Sequence, residues 1–171
     1  MLYSGGLSAE GVGRALGVTI NFYGIIRNPN IEGRSFLYQG KRVRHKLIID
    51  KHIPDPNKVG GTKSVLIDDS LVSGANSKLL TSKIKAAGAF EVHWVITTPP
   101  IKYSCPYPNA IGKRNADELI YNQSGKLAKN IGADSVTYLP LNGFKEVLTK
   151  FKLLDSCCLA CFTGKAPGSG R

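Results

Sequence analysis

A chain of 171 residues with 42% hydrophobic and 20% charged residues has the composition of one ordinary folded domain, which excludes a disordered chain. No apolar run approaches the ~20 residues of a membrane span, and the opening MLYSGGLSAEG lacks the basic start and apolar stretch of a secretory signal, so the expectation is a cytoplasmic protein with no membrane partner. A net charge of +11, from 23 Lys+Arg against 12 Asp+Glu, fits a nucleic acid, an anionic surface or a polyphosphate ligand, and equally a solvated basic exterior.

In chain order, residues 7–16 read as a short helix opened by Ser8 and weakened by Gly11 and Gly13. Residues 20–26 read as a strand. Residues 27–40 hold Asn-Pro-Asn and two glycines and read as a long loop, of the length that usually serves function. Residues 41–51 are basic, with Lys41, Arg42, Arg44, Lys46 and Lys51, and residues 55–61 carry turn chemistry. Residues 64–67 are a short apolar strand ending in Asp68-Asp69. Small residues follow, and Ser77 is placed to cap a helix whose Leu80, Ile84 and Ala87 share a face. Gly88 ends that helix and residues 91–97 form the next strand, with Trp94 and Val95 assigned to the core. Such a β-loop-α-β unit predicts a parallel sheet. Residues 99–114 read as a Pro-rich loop with Cys105. Residues 116–131 are helical with a break at Gly125, 135–139 a last strand and 141–151 a last helix. The alternation makes the fold class α/β. His45, His52 and His93 have no ligand spacing.

Chemistry concentrates in V-L-I-D-D-S-L-V-S-G-A-N-S, residues 65–77. Two adjacent carboxylates stand at the C-terminal end of a strand, where open α/β sheets bind ligands. The small-residue loop after them offers main-chain N–H groups and the positive end of a helix dipole, which together suit a phosphate. The Walker pattern and G-x-G-x-x-G are both absent. Carboxylates that accept from ribose hydroxyls, beside amides that hold a 5′-phosphate, fit a sugar phosphate; the plain alternative is a strand end with two solvated aspartates. The clustered cysteines Cys157, Cys158 and Cys161, with Cys105 in a second loop, suit thiolate ligation of zinc or an iron–sulfur cluster.

Residues 65–77 closely resemble the phosphoribosyl pyrophosphate (PRPP) motif of type I phosphoribosyltransferases. G-R-S-F at 33–36, R-V-R-H-K-L at 42–47, P-P-I-K-Y-S-C at 99–105, D-E-L-I at 117–120, I-G-A-D-S at 131–135 and C-L-A-C-F-T-G at 158–164 narrow the likeness to the C-terminal half of the glutamine PRPP amidotransferase family. The resemblance implies a parallel sheet flanked by helices over residues 1–154 and a cysteine-bearing tail over 155–171. It implies transfer of an amine to C1 of PRPP, with pyrophosphate released, as the first step of purine synthesis. Asp68 and Asp69 match the pair that contacts ribose hydroxyls and Mg²⁺. Ser70, Val72, Ser73 and Gly74, with Ala75, Asn76 and Ser77, match the 5′-phosphate loop. Ser4 and Gly5 match the end of the pyrophosphate loop, with Ser4 also near Mg²⁺. Arg27 opens the stretch that matches the mobile loop, and Lys46 matches a basic residue that reaches pyrophosphate.

The chain also departs from the family pattern. Ser73 replaces an arginine, Ala75-Asn76 replaces Thr-Thr, Pro29-Asn30 replaces Arg-Tyr, and Leu2-Tyr3 replaces Pro-Asp. The first strand and the glutaminase half have no counterpart, so a chain truncated within the phosphoribosyltransferase domain is expected, with ammonia drawn from solution or from a separate glutaminase subunit. The resemblance gives Cys105, Cys158 and Cys161 as three of four ligands of a [4Fe–4S] cluster. It implies a homo-oligomer, and PRPP rather than nucleic acid as the anionic partner. Two other readings stand beside it: a PRPP-binding regulatory or vestigial fragment without activity, and a salvage phosphoribosyltransferase acting on a nucleobase.

Overall fold

Three parallel strands lie at the centre of the computed structural model, which describes residues 4–29, 51–107, 119–122 and 126–167. The chain enters through helix α1 (Ser4–Leu16) and strands β1 (Ile25–Arg27) and β2 (His52–Pro54), which pair antiparallel with Arg27 opposite His52. A short helix α2 (Pro56–Val59) leads to β3 (Lys63–Asp68), α3 (Ala75–Ala86) and β4 (Glu91–Ile96). Then come α4 (Leu127–Ile131), β5 (Ser135–Tyr138), α5 (Leu141–Lys150) and α6 (Ala160–Thr163). The sheet order is β3-β4-β5, all parallel, and Asp68, Ile96 and Tyr138 stand in one row at its C-terminal edge. The fold is α/β, as the alternation of elements predicts.

Strand β4 shows why the sheet forms. Val92, Trp94 and Ile96 alternate with half-buried residues and fill a core with Leu71, Ile84, Ile120 and Ile131. Ile84 of α3 is fully buried, a side chain worth about 2 kcal/mol when removed from water. The polar tip of Trp94 is satisfied, whereas the buried Tyr138 hydroxyl beside the same core makes no hydrogen bond among the described residues. Trp94 Nε1 donates to Thr81 Oγ1 at 2.9 Å, and that hydroxyl donates to the Ser77 carbonyl at 2.7 Å. The opposite face is polar at its N-terminal end. Lys63, Glu91, His93 and Ser135 form a chain of contacts across all three strands, with spacings of 2.8, 3.0 and 2.8 Å.

Several predicted elements differ in extent. The helix expected at 7–16 begins at Ser4, so Ser8 lies within it. The strand expected at 20–26 shrinks to its last residues, because residues 21–24 turn on themselves, with the Tyr23 N–H donating to Asn21 Oδ1 at 3.0 Å and the Gly24 N–H to the Asn21 carbonyl. Ser77 does not cap α3: it is buried in the first turn, and Gly74 holds the cap position. Residues 55–61 turn through a short helix, with Asp55 accepting from the Asn57 N–H at 3.0 Å and Pro56 in the first position. Of the helix expected at 116–131, α4 and a 3₁₀ turn at Ile120–Asn122 are found among the described residues.

Candidate active site

Asp68 is the last residue of β3, and Asp69 follows it. The Asp69 N–H donates to Asp68 Oδ1 at 3.0 Å. Burial pushes the Asp68 carboxyl up to about 6, and the adjoining Asp69 carboxyl adds to the rise. Neither aspartate has an ion-pair partner among the described residues. Two neighbouring carboxyls, one of them desolvated by burial and neither held in an ion pair among the described residues, are a donor set that a divalent ion relieves, so these residues fit Mg²⁺. Among the described residues no three metal-type side chains converge on one point. That is compatible with Mg²⁺, which commonly takes one or two carboxylates and completes its shell with water and phosphate oxygens.

The loop after Asp69 leads to an open helix end. Gly74 adopts the left-handed conformation, φ 71°, and makes no side-chain cap, so the N–H groups of the first turn of α3 keep their donor capacity. A Cβ at Gly74 would stand 2.1 Å from Ile120 Cδ1, and the Ile120 N–H donates to the Val72 carbonyl at 2.8 Å. The loop is thus packed tightly from behind, and only glycine fits at its turn. Ser70, Val72 and Ser73 are half-buried, whereas Ala75 and Asn76 are exposed. Gly5 of α1 is buried against β3: a Cβ there would lie 2.9 Å from the Ile67 carbonyl. This contact brings the start of α1, Ser4 and Gly5, to the strand end that carries the aspartates.

Arg27 is less directly joined to this centre. It is half-buried in the β1–β2 ribbon and makes no ion pair with either aspartate. Its charge, with those of Lys51 and Lys83, contributes to holding His52 down at about 4, burial being the larger cause. Lys83 of α3 donates its Nζ to the His52 carbonyl and ties the ribbon to the helix. Lys46 and the motifs at 33–36 and 42–47 lie outside the described residues.

The cysteines are brought together only in part. The Lys102 and Tyr103 N–H groups donate to the Cys161 carbonyl at 3.0 and 3.1 Å, tying the Cys105 loop to α6. Burial pushes the Cys161 thiol up, and nearby Cys105 and Cys158 add to this. Among the described residues, no three of these thiols are close enough to hold one metal ion, and Cys157 and Cys158 are exposed. The donor set is incomplete for the expected cluster.

Sequence reasoning misses two features of the site. Thr97 and Thr98, just beyond β4, bond the carbonyls of Asp68 and Asp69; hydroxyl residues ending a buried strand beside an acid pair were the available signal. Ile120 covering Gly74 has no local signal, since it arrives from a distant segment.

No family model matches the sequence. The chain is 36% identical over 166 residues to the chloroplastic amidophosphoribosyltransferase of Vigna aconitifolia, covering 96% of this chain and 33% of that protein. It is 32% identical over 164 residues to amidophosphoribosyltransferase of Bacillus subtilis, covering 94% and 34%. Among solved structures, the glutamine PRPP amidotransferase of B. subtilis complexed with ADP and GMP superposes with a TM-score of 0.73 at 32% identity, over 94% of this chain and 35% of that one. The structure of the allosteric regulatory enzyme of purine biosynthesis follows at 0.64 and 29% identity, over 92% and 34%. This chain spans about a third of the length of the curated relatives it matches. Over nearly its whole length it is a relative of the amidophosphoribosyltransferases, matching the C-terminal part of their sequence and sharing the fold of that part.

Proposed function

We propose that this chain binds Mg²⁺–PRPP at the C-terminal end of β3 and transfers an amine to C1, releasing pyrophosphate and giving 5-phosphoribosylamine, the first step of de novo purine synthesis. The observation that carries the reading is the juxtaposition of the Asp68–Asp69 pair with an uncapped helix N-terminus, in a fold shared with a PRPP amidotransferase. The aspartates hold the ribose hydroxyls, and the amides from Ser70 to Ser77 hold the 5′-phosphate. Ser4 and Gly5 lie at the pyrophosphate side, with Lys46 and Arg27 assigned to neutralise the leaving oxygens. Asp68 and Asp69, with Ser4 at the same strand end, would hold Mg²⁺, which would supply charge stabilisation to the departing pyrophosphate. A neutral amine needs no general base to attack C1; it comes as free ammonia or from glutamine through a separate glutaminase subunit.

Residues 1–154 form the transferase unit in this reading and 155–171 a cysteine-bearing tail. No step runs through an iron–sulfur cluster. No described helix is long and apolar enough to cross a membrane, and the reading places the protein in the cytoplasm as a homo-oligomer. The decisive measurement is ammonium-dependent pyrophosphate release from PRPP with Mg²⁺, run beside calorimetric binding. Absence of both binding and turnover overturns the reading. Binding without turnover would mark a PRPP-binding regulatory fragment, a reading favoured by Pro29-Asn30 in place of Arg-Tyr in the stretch that matches the mobile loop and by the lack of a counterpart to the first strand. Turnover only with a nucleobase would mark a salvage enzyme.

A further inference from the structure

The acid pair sits where the strand ladder runs out. Strand β3 ends at Asp68, so the next carbonyl, that of Asp69, has no ladder partner of its own. The two residues after β4 supply the missing bonds. The Thr97 N–H donates to the Asp68 carbonyl at 3.0 Å, and Thr97 Oγ1 reaches the same oxygen at 3.3 Å. Thr98 Oγ1 donates to the Asp69 carbonyl at 2.7 Å. The Asp68 carbonyl and the Asp69 N–H belong to one peptide plane, and that N–H donates in turn to Asp68 Oδ1. The Asp69 carbonyl belongs to the next plane. Both peptide planes that flank Asp69 are therefore tied down from the neighbouring strand end. With both planes fixed, the backbone torsions of Asp69 are fixed, and with them the direction in which its Cβ leaves the chain.

We propose that Thr97 and Thr98 are positioning residues for the acid pair, with the Thr98 hydroxyl as the element that sets Asp69 for the ligand. The proposal rests on the Mg²⁺–PRPP reading for the identity of that ligand, but the clamp itself is a property of the free protein. Thr97 keeps its main-chain N–H whatever its side chain. Thr98 reaches Asp69 only through its hydroxyl, so Thr98 is the informative position. Valine keeps the shape and removes the donor, leaving a half-buried carbonyl unpaired. Serine keeps the donor.

The experiment compares wild type, Thr98→Val and Thr98→Ser in two measurements. The first is hydrogen exchange of main-chain amides without ligand. Thr98→Val is expected to lower protection of the Asp69 amide, which donates to Asp68 Oδ1, about tenfold while the interior of β3 and β4 stays as in wild type, and Thr98→Ser to restore it. A purely structural role would instead lower protection along both strands. The second is calorimetry with Mg²⁺–PRPP, in which Thr98→Val is expected to bind about tenfold more weakly and Thr98→Ser within about twofold of wild type. Unchanged exchange at the Asp69 amide in Thr98→Val overturns the proposal whatever the ligand does, and so does equal affinity of wild type and Thr98→Val. If wild type itself does not bind Mg²⁺–PRPP, the substrate reading fails and exchange alone decides the clamp. Should Thr98→Val not fold, Thr98→Ala carries the same comparison.

Discussion

At the scale of single residues, the site holds groups kept in states they would not choose elsewhere. Asp68 has its carboxyl raised from 3.8 to about 6 by burial, with Asp69 adding to it. Between those two values the folded state binds a proton that the unfolded state has released, so this group makes stability fall as pH rises from 3.8 through 6, and the full penalty remains at pH 7. Asp68→Asn removes the charge and keeps the shape. It is expected to stabilise the protein at pH 7 by about 2 kcal/mol, with the gain vanishing near pH 4, while Mg²⁺–PRPP affinity falls at least ~30-fold. Urea unfolding at both pH values and calorimetry check it; a destabilised Asp68→Asn protein with intact affinity would contradict the site. Gly74 shows a steric version of the same conflict. At φ 71° and 2.1 Å from Ile120 Cδ1, a Cβ meets both backbone strain and a clash. Gly74→Ala should cost about 2 kcal/mol and lower the thermal midpoint, and in a double-mutant cycle with Ile120→Ala, itself costly because Ile120 is in the core, the steric share should appear as a favourable coupling.

At the scale of elements, the β3–α3–β4 unit could be read from sequence because each of its signals is local. The strand residues from 64 to 67, the acid pair, the small-residue loop and the Leu80–Ile84 face all lie within a short stretch, and the alternation of β4 puts Trp94 in the core. The helix start was not legible at Ser77. A serine there looks like a cap, but Ser77 is buried within the first turn, where its main-chain carbonyl accepts from the Thr81 hydroxyl, and a glycine able to take positive φ does the turning. The antiparallel ribbon was also hidden, since the long segment between β1 and β2 reads as a loop followed by a basic stretch rather than as a hairpin turn. That ribbon contains a pH-sensitive group. His52 is held down from 6.5 to about 4 by burial and by Lys51, Lys83 and Arg27. From pH 6.5 down to 4 the unfolded state takes up a proton that the folded state refuses, so stability falls as pH falls through that window. His52→Gln should flatten this loss by about 2 kcal/mol, measured as the difference in unfolding free energy between pH 7.5 and 4.5. Asp68 acts in the opposite direction over an overlapping range, so each effect is read against its own variant. Within the core, Thr81→Val leaves the Trp94 N–H without its acceptor and is expected to cost about 1–3 kcal/mol, checked by denaturant unfolding.

At the scale of the whole molecule, the charge of +11 acts over distances that no single contact reaches. PRPP is strongly anionic, while the groups assigned to grip it are largely neutral amides and a carboxylate pair that needs Mg²⁺ first. The long-range field and the local grip therefore act on different steps. On the proposed function the basic exterior would draw the ligand in, and exposed charges of this kind are screened over a Debye length of about 8 Å at physiological ionic strength. In the proposed site the bound phosphate would lie against main-chain N–H groups at the start of α3, short-range bonds that salt weakens less than it weakens the long-range field. Raising sodium chloride from 20 to 500 mM, as a tested range of order ~20-fold, should lower the association rate of Mg²⁺–PRPP about tenfold and leave the dissociation rate within about twofold. Stopped-flow binding at fixed free Mg²⁺ separates the two. A dissociation rate that climbs with salt as steeply as association falls would mean that mobile surface lysines, and not the amide bed behind Asp69, hold the ligand.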